Sequence, residues 1–365
     1  MRMTIIIGWM AAALLALTAA ARAEAPELHV YNWSDYIAPD TIPNFTKETG
    51  VAVTYDVYDG NEVLEAKLLA GNSGYDVVMP TAMPYMARQL KAGAYRALDK
   101  AKLPNWKNLD PAILALVADA DPGNAYGVPY MWGVTGIGYN PALVAKALGN
   151  DGPGDTLALL FDPANAQKLA ACGISLLDTP AEVFPAAFSY LGIDPKSRDP
   201  ADLDKAVALL QKIRPYVRKF HSSQYINDLA NGDICIALGY SGDVIQARNR
   251  AAEAKNGVEI AFRVPREGAM MAVDMMGIPK DAPHPDNALT YINYILRPEV
   301  AAAITNAVSY PNPNAAATPL VKPEIRDDPG VYPPEEVRKA FHGDAPAARE
   351  YERARTSAWN RVKAG

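Results

Sequence analysis

Cysteine and histidine are scarce in this chain, which carries two Cys and four His among 365 residues. His29, His221, His284 and His342 are scattered, and no His-Glu-x-x-His or Cys-x-x-Cys spacing occurs, so the usual zinc sites are excluded. Positive charge is also in deficit: 35 Lys and Arg face 41 Asp and Glu, a formal charge of −6, which argues against a nucleic-acid binder. Beyond the N-terminus no apolar run approaches the ~20 residues that cross a bilayer. Internal repeats and low-complexity tracts are missing as well. Half of the residues are hydrophobic, with 30 Pro and 25 Gly, so a disordered, collagen-like or coiled-coil chain is excluded. The length suits two ordinary lobes.

The N-terminus has the pattern of an export leader. Arg2 precedes the apolar run 5–17, and Ala21-Arg22-Ala23 gives a small-x-small cleavage site before Glu24. Removal after Ala23 leaves an exported chain 24–365 with 33 basic against 41 acidic residues, a charge of −8. Outside the cytosol, Cys172 and Cys235 are expected to pair, closing a loop of about sixty residues and contributing roughly 4 kcal/mol. Two buried free thiols are the alternative.

Strands and helices alternate along the mature chain. Residues 28–33 read as a strand, 41–48 as a helix stopped by Gly50, and 51–58 as a second strand. Asn61 is placed to cap a helix with Val63, Leu64, Leu68 and Leu69 on one stripe, and 75–80 is a short apolar strand. A second run follows, with strands at 172–177 and 233–239 and helices at 181–191, 201–214 and 244–255. Ser222 and Ser223 are placed to cap a short helix ending at Gly232. This alternation predicts an α/β fold with two lobes, parallel sheets covered on both faces, and ligands outside the carboxyl ends of strands. Residues 126–140 suit an extended crossover between the lobes, with a second near 258–265.

Catalytic motifs fail on inspection. Gly136-Ile137-Gly138 lacks the third Gly and the following helix of a dinucleotide fingerprint. Gly239-Tyr240-Ser241-Gly242-Asp243 sits where a nucleophile elbow would, but has Asp243 in place of its last Gly. No spacing supports a glycosidase acid pair.

Acids placed among aromatics are more informative. Asp35 lies between Trp33 and Tyr36 past the first strand, Asp243 follows Tyr240 past another, and Glu182 begins a helix. Helix capping would explain each of these three singly. Asp274, flanked by Met270, Met271, Val273, Met275 and Met276, is costly to bury without a cation. Together the four suit an organic cation, with carboxylates on the ammonium and ring faces on the alkyl stem. No Arg or Lys in those segments is placed to hold an anion, so amino acids, phosphate and sulfate fit poorly.

Tyr31-Asn32-Trp33-Ser34-Asp35-Tyr36-Ile37-Ala38-Pro39-Asp40 closely resembles the opening of the bacterial putrescine-binding and spermidine-binding periplasmic proteins. Leu103-Pro104-Asn105-Trp106-Lys107-Asn108-Leu109, Pro129-Tyr130-Met131-Trp132-Gly133, Thr135-Gly136-Ile137-Gly138-Tyr139-Asn140, residues 220–243 and Ala317-Thr318-Pro319-Leu320-Val321 are similar to that family too. The likeness spans nearly the whole mature chain, to Trp359.

The resemblance implies a two-lobed periplasmic binding protein of type II with two hinge strands, closing on a polyamine and delivering it to the membrane permease subunits of an ABC transporter. It implies a monomer without cofactor or catalysis. The lobes would comprise 24–133 plus about 262–315, and 134–261 plus about 316–365. By the same resemblance the ligand residues are Trp33, Asp35, Tyr36, Thr81, Glu182, Tyr240, Asp243, Asp274 and Tyr310, and Cys172 and Cys235 form a disulfide.

Two departures bear on the ligand. Ala272 and Val273 stand where putrescine-binding relatives have two Phe, and Ala82-Met83-Pro84-Tyr85 after Thr81 is one residue longer. The missing ring admits a longer or bulkier amine, or lowers affinity, unless Met271 or Tyr85 fills the gap. Putrescine is the first expectation, with spermidine, cadaverine and agmatine the alternatives. At roughly 1.5 kcal/mol for each of about six heavy atoms, a diamine gains at most about 9 kcal/mol, so micromolar to submicromolar affinity is near its limit. An exported enzyme or a sensory binding protein are the competing functions.

Overall fold

The computed structural model describes residues 26–149, 154–344 and 347–365. The expected leader and its cleavage point after Ala23 lie outside the described residues. Among the described residues no helix is long and apolar enough to cross a membrane.

Among the described residues ten strands carry the architecture: β1 (Glu27–Trp33), β2 (Ala52–Tyr58), β3 (Val77–Val78), β4 (Gly127–Tyr139), β5 (Ile174–Leu176), β6 (Val217–Phe220), β7 (Ile236–Tyr240), β8 (Ala261–Arg263), β9 (Ala269–Gly277) and β10 (Phe341–His342). Their spatial order is β2-β1-β3-β9-β4-β7-β5-β6, with β10 beside β9 and β8 beside β4. β1 has neighbours on both sides and is mostly buried, whereas the edge strand β2 exposes much of its length.

The expectation of parallel sheets holds only at the flanks. β1 pairs parallel with β2 and β3, and β5 with β6 and β7, but β4 and β9 at the centre run antiparallel. The reason is topological. β4 pairs with β9 as far as Val134 and with β7 from Thr135 onward, so it leaves one half of the sheet for the other. The chain returns between Arg263, opposite Ile137, and Met271, opposite Val134. An outward and a returning strand lying side by side must point in opposite directions.

Helices cover both halves. The helix Thr41–Thr49 ends at Gly50, whose φ of 74° suits the left-handed cap and whose N–H bonds the Thr46 carbonyl. Asn61 does not cap the next helix. Gly60 takes that position, and the Asn61 amide instead donates to Thr81 Oγ1 at 2.9 Å and accepts from its N–H at 3.0 Å. Two bonds to one buried neighbour outweigh a single cap. The apolar stripe is also narrower than expected, because Leu64 and Leu68 are buried whereas Val63 and Leu69 are half-exposed.

On the other half lie Pro180–Tyr190, Pro200–Ile213, Tyr225–Asn231 and Ser241–Ala254. Their core joins Phe161, Phe184, Phe188 and Ile236, and the C-terminal helix Arg349–Ala364 adds Trp359, edge-on to Phe184 and Phe220. Across β4, a separate core gathers Leu28, Val30, Phe45, Val77 and Tyr291. Ser222 and Ser223 do not cap Tyr225–Asn231. His221 Nδ1 accepts from the N–H groups of Ser223 and Gln224, while Ser222 Oγ accepts from the Asp178 N–H. Cys172 and Cys235 form a disulfide, with Cα atoms 5.4 Å apart, that pins the approach to β5 against the start of β7.

Candidate functional site

A cavity of about 630 Å³, counting its part open to solvent, lies where β4 passes between the two halves. Gly133, Val134 and Thr135 of β4 and Ala272 and Asp274 of β9 form part of its wall. Strand geometry explains the last pair. Side chains two apart share a face, so Ala272 and Asp274 point into the cavity while Met271 and Val273 point away.

Eight of the nine expected residues line this cavity: Trp33, Tyr36, Thr81, Glu182, Tyr240, Asp243, Asp274 and Tyr310. Asp35 does not. Its φ of 56° turns the chain sharply after β1, and its carboxylate pairs with Arg250 at 2.5 Å, where both side chains are about one-third exposed. That bond joins the β1 turn to the helix Ser241–Ala254 beside the cavity.

Glu182 and Asp243 are buried and Asp274 is partly buried, and each bonds hydroxyl groups. Asp274 accepts from Thr81 Oγ1 at 2.7 Å and Tyr36 Oη at 2.8 Å. Tyr225 and Tyr310 each donate to Asp243 at 2.7 Å, and Thr135 to Glu182 at 2.5 Å. None of the three caps a helix, although Glu182 and Asp243 sit in first turns. Hydroxyl donors occupy one lone pair each, so every carboxylate keeps acceptor capacity.

The glycines of Gly239-Tyr240-Ser241-Gly242-Asp243 now have a cause. A Cβ on Gly239 would overlap the Tyr225 ring and one on Gly242 the Tyr310 ring, the two phenols that bond Asp243. The motif makes room for a doubly bonded carboxylate, not for a nucleophile.

Electrostatics follow from the burial. Desolvation pushes Glu182 up to about 8, against the Thr135 hydrogen bond. It likewise raises Asp243 to about 7, against bonds from Tyr225 and Tyr310, and Asp274 to about 6, against bonds from Thr81 and Tyr36. Among the described residues lining the cavity there is no Lys or Arg. Glu182, Asp243 and Asp274 therefore have no cationic side chain beside them in the lining.

Rings supply the rest of the wall. Trp33 and Tyr58 lie 4.8 Å apart, and the Trp33 indole N–H is held by the Met79 carbonyl at 2.8 Å. Tyr36 meets Tyr310 edge-on at 4.7 Å. Neither residue expected to replace the missing ring does so. Met271 faces away from the cavity, and buried Tyr85, which donates to Glu62 at 2.6 Å, is not part of the lining, leaving Ala272 as a bare part of the wall.

Sequence reasoning missed several lining residues: Ser34, Tyr58, Asp59, Asn61, Ser222 and Ser223. Asp59 follows the carboxyl end of β2 as Asp35 follows that of β1, a signal open to the same argument. Tyr225 reaches Asp243 only through the packing of two helices, and no local pattern announces it.

Comparison with known proteins places the chain. A family model described as bacterial extracellular solute-binding protein matches residues 41–333. The putrescine-binding periplasmic protein SpuD of Pseudomonas aeruginosa is 54% identical over 359 residues, covering 96% of this chain and 98% of the relative. The putrescine-binding periplasmic protein PotF of Escherichia coli is 53% identical over 360 residues, covering 98% and 97%. Among solved structures, the spermidine/putrescine ABC transporter substrate-binding protein PotD of Streptococcus pneumoniae superposes with a TM-score of 0.74 at 27% identity, covering 93% of this chain and 98% of that one. The chain belongs to the bacterial extracellular solute-binding protein family.

Proposed function

We propose that this protein captures putrescine in the cavity between its lobes and delivers it to the membrane permease subunits of an ABC transporter. The observation that carries this reading is the convergence of Glu182, Asp243 and Asp274 on one cavity whose lining, among the described residues, has no positive side chain. Burying ionised carboxylates without a partner costs several kcal/mol, and an alkyl diammonium supplies both the missing charges and a stem for the Trp33, Tyr36 and Tyr310 rings. The names of the two relatives above 50% identity support the same guest. All eight expected lining residues are assigned to the ligand. Asp35 is assigned to the neighbouring ion pair with Arg250.

The lobes we assign are 24–133 with about 262–315, and 134–261 with about 316–365. Support comes from the change of partner along β4 at Val134 and Thr135 and from the return between Arg263 and Met271. The protein works in the periplasm as a monomer, without a cofactor, without nucleic acid and without catalysis. The periplasmic naming of its relatives supports the compartment.

A melting-temperature scan of ligand-stripped protein across an amine panel tests the reading. Putrescine raises the midpoint by mass action. A scan flat across diamines and triamines contradicts it.

A further inference from the structure

Three acids at the buried wall exhaust neither the acids of the cavity nor its space. Asp59, in the turn after β2, also lines it, and its side chain is 43% exposed. Its carboxylate has no hydrogen bond to any described residue, and among the described residues the one basic atom within ion-pair range is His221 Nδ1 at 3.8 Å. That nitrogen already accepts from the Ser223 and Gln224 N–H groups, at 3.2 and 3.1 Å. Engaged by those two donors and 3.8 Å away, it makes no hydrogen bond to Asp59. Ser34, Asn61, Ser222 and Ser223 surround the same part of the lining with polar atoms, in contrast to the rings beside Asp274.

The cavity is partly open to solvent. The bare Ala272 wall adds room.

Resting on the proposed function above, we propose that Asp59 is a specificity residue that holds the far ammonium of a linear triamine whose other end sits among Glu182, Asp243 and Asp274. The Trp33 and Tyr58 rings, in mutual contact with centroids 4.8 Å apart, both line the cavity and offer aromatic surface to the chain between the two ends. On this proposal a diamine placed on the three hydrogen-bonded acids leaves Asp59 without an ammonium. The residue therefore acts on the ratio of triamine to diamine affinity and not on amine binding in general.

The test is calorimetric titration of ligand-stripped wild type, Asp59→Asn and Asp59→Glu with spermidine and with putrescine, at physiological salt. Asp59→Asn weakens spermidine at least fivefold and putrescine less than twofold, and Asp59→Glu restores most of the spermidine affinity. The unliganded melting temperature is unchanged, because the carboxylate has no bond to lose. Equal losses for both amines, or no loss for either, overturn the role of Asp59, and so does a wild type that binds putrescine but not spermidine. A wild type that binds neither overturns the proposed function itself.

Discussion

Tyr310 donates its hydroxyl proton to Asp243 at 2.7 Å, joining the segment after the helix Pro298–Val308 to the first turn of the helix Ser241–Ala254. The bond spans 67 residues of sequence and closes one side of the cavity, and it exists only because Gly242 has no Cβ. A cavity-lining carboxylate is thus held by two phenols, Tyr225 and Tyr310.

Gly242→Ala tests that geometry. The added methyl overlaps the Tyr310 ring, which must swing away and take its hydroxyl from Asp243. Putrescine affinity is expected to fall at least tenfold, with a loss of about 1–3 kcal/mol in stability from overpacking. Unchanged affinity in calorimetry would show that Tyr310 does not position Asp243.

Asp274→Asn separates charge from shape. The amide keeps the volume and can still bond Thr81 and Tyr36, but the compensating charge is gone. Putrescine binding weakens by about a hundredfold or more, in line with the ~3 kcal/mol cost of breaking a buried ionic pair. The unliganded protein keeps its melting temperature or gains slightly. Asp35→Asn, which removes only a part-exposed pair with Arg250, costs at least tenfold less affinity. Equal effects of the two substitutions in one titration series would contradict this ranking.

Acidity gives a third prediction. Glu182, Asp243 and Asp274 have folded values of about 8, 7 and 6, above their unfolded values near 4. In the empty protein these groups favour folding below pH 4, and that contribution is lost as pH rises from 4 towards 8. A bound dication favours the ionised forms, so binding expels protons. Affinity for putrescine therefore rises from pH 5 to pH 8.5, where an alkylammonium, titrating near 10 like Lys, keeps its charge. Calorimetry at pH 7 in buffers of unequal ionisation enthalpy registers net proton release. Proton uptake, or an affinity flat across this range, would contradict it.

The disulfide is structural. Replacing Cys172 and Cys235 together by Ser releases a loop of 63 residues' separation. The expected loss is roughly 4 kcal/mol in denaturant unfolding. Putrescine affinity stays within about twofold, because neither sulfur lines the cavity. A large affinity loss in folded variant protein would assign the bridge a role in the site.

Much of this was legible in sequence because the signals were local. Asp274, a lone acid within a Met-rich apolar run, marked a carboxylate in need of a cation, and Gly50 marked a helix end. What escaped depended on distant partners. Asn61 has the composition of a cap but found two bonds on Thr81, and His221, not a serine, takes the N–H groups of Ser223 and Gln224 just before Tyr225–Asn231. Asp35 sits in the right segment, yet Arg250, 215 residues away, draws it out of the cavity wall. The antiparallel centre of the sheet followed from the return of the chain between lobes, a relation no single window contains.

A crystal structure of the protein with putrescine tests the central claim most directly. The account predicts one diamine in the cavity, with its ammonium nitrogens within about 3.2 Å of carboxylate oxygens drawn from Glu182, Asp243 and Asp274. A diamine bound elsewhere, or one in the cavity that leaves all three carboxylates without an ammonium contact, would contradict it.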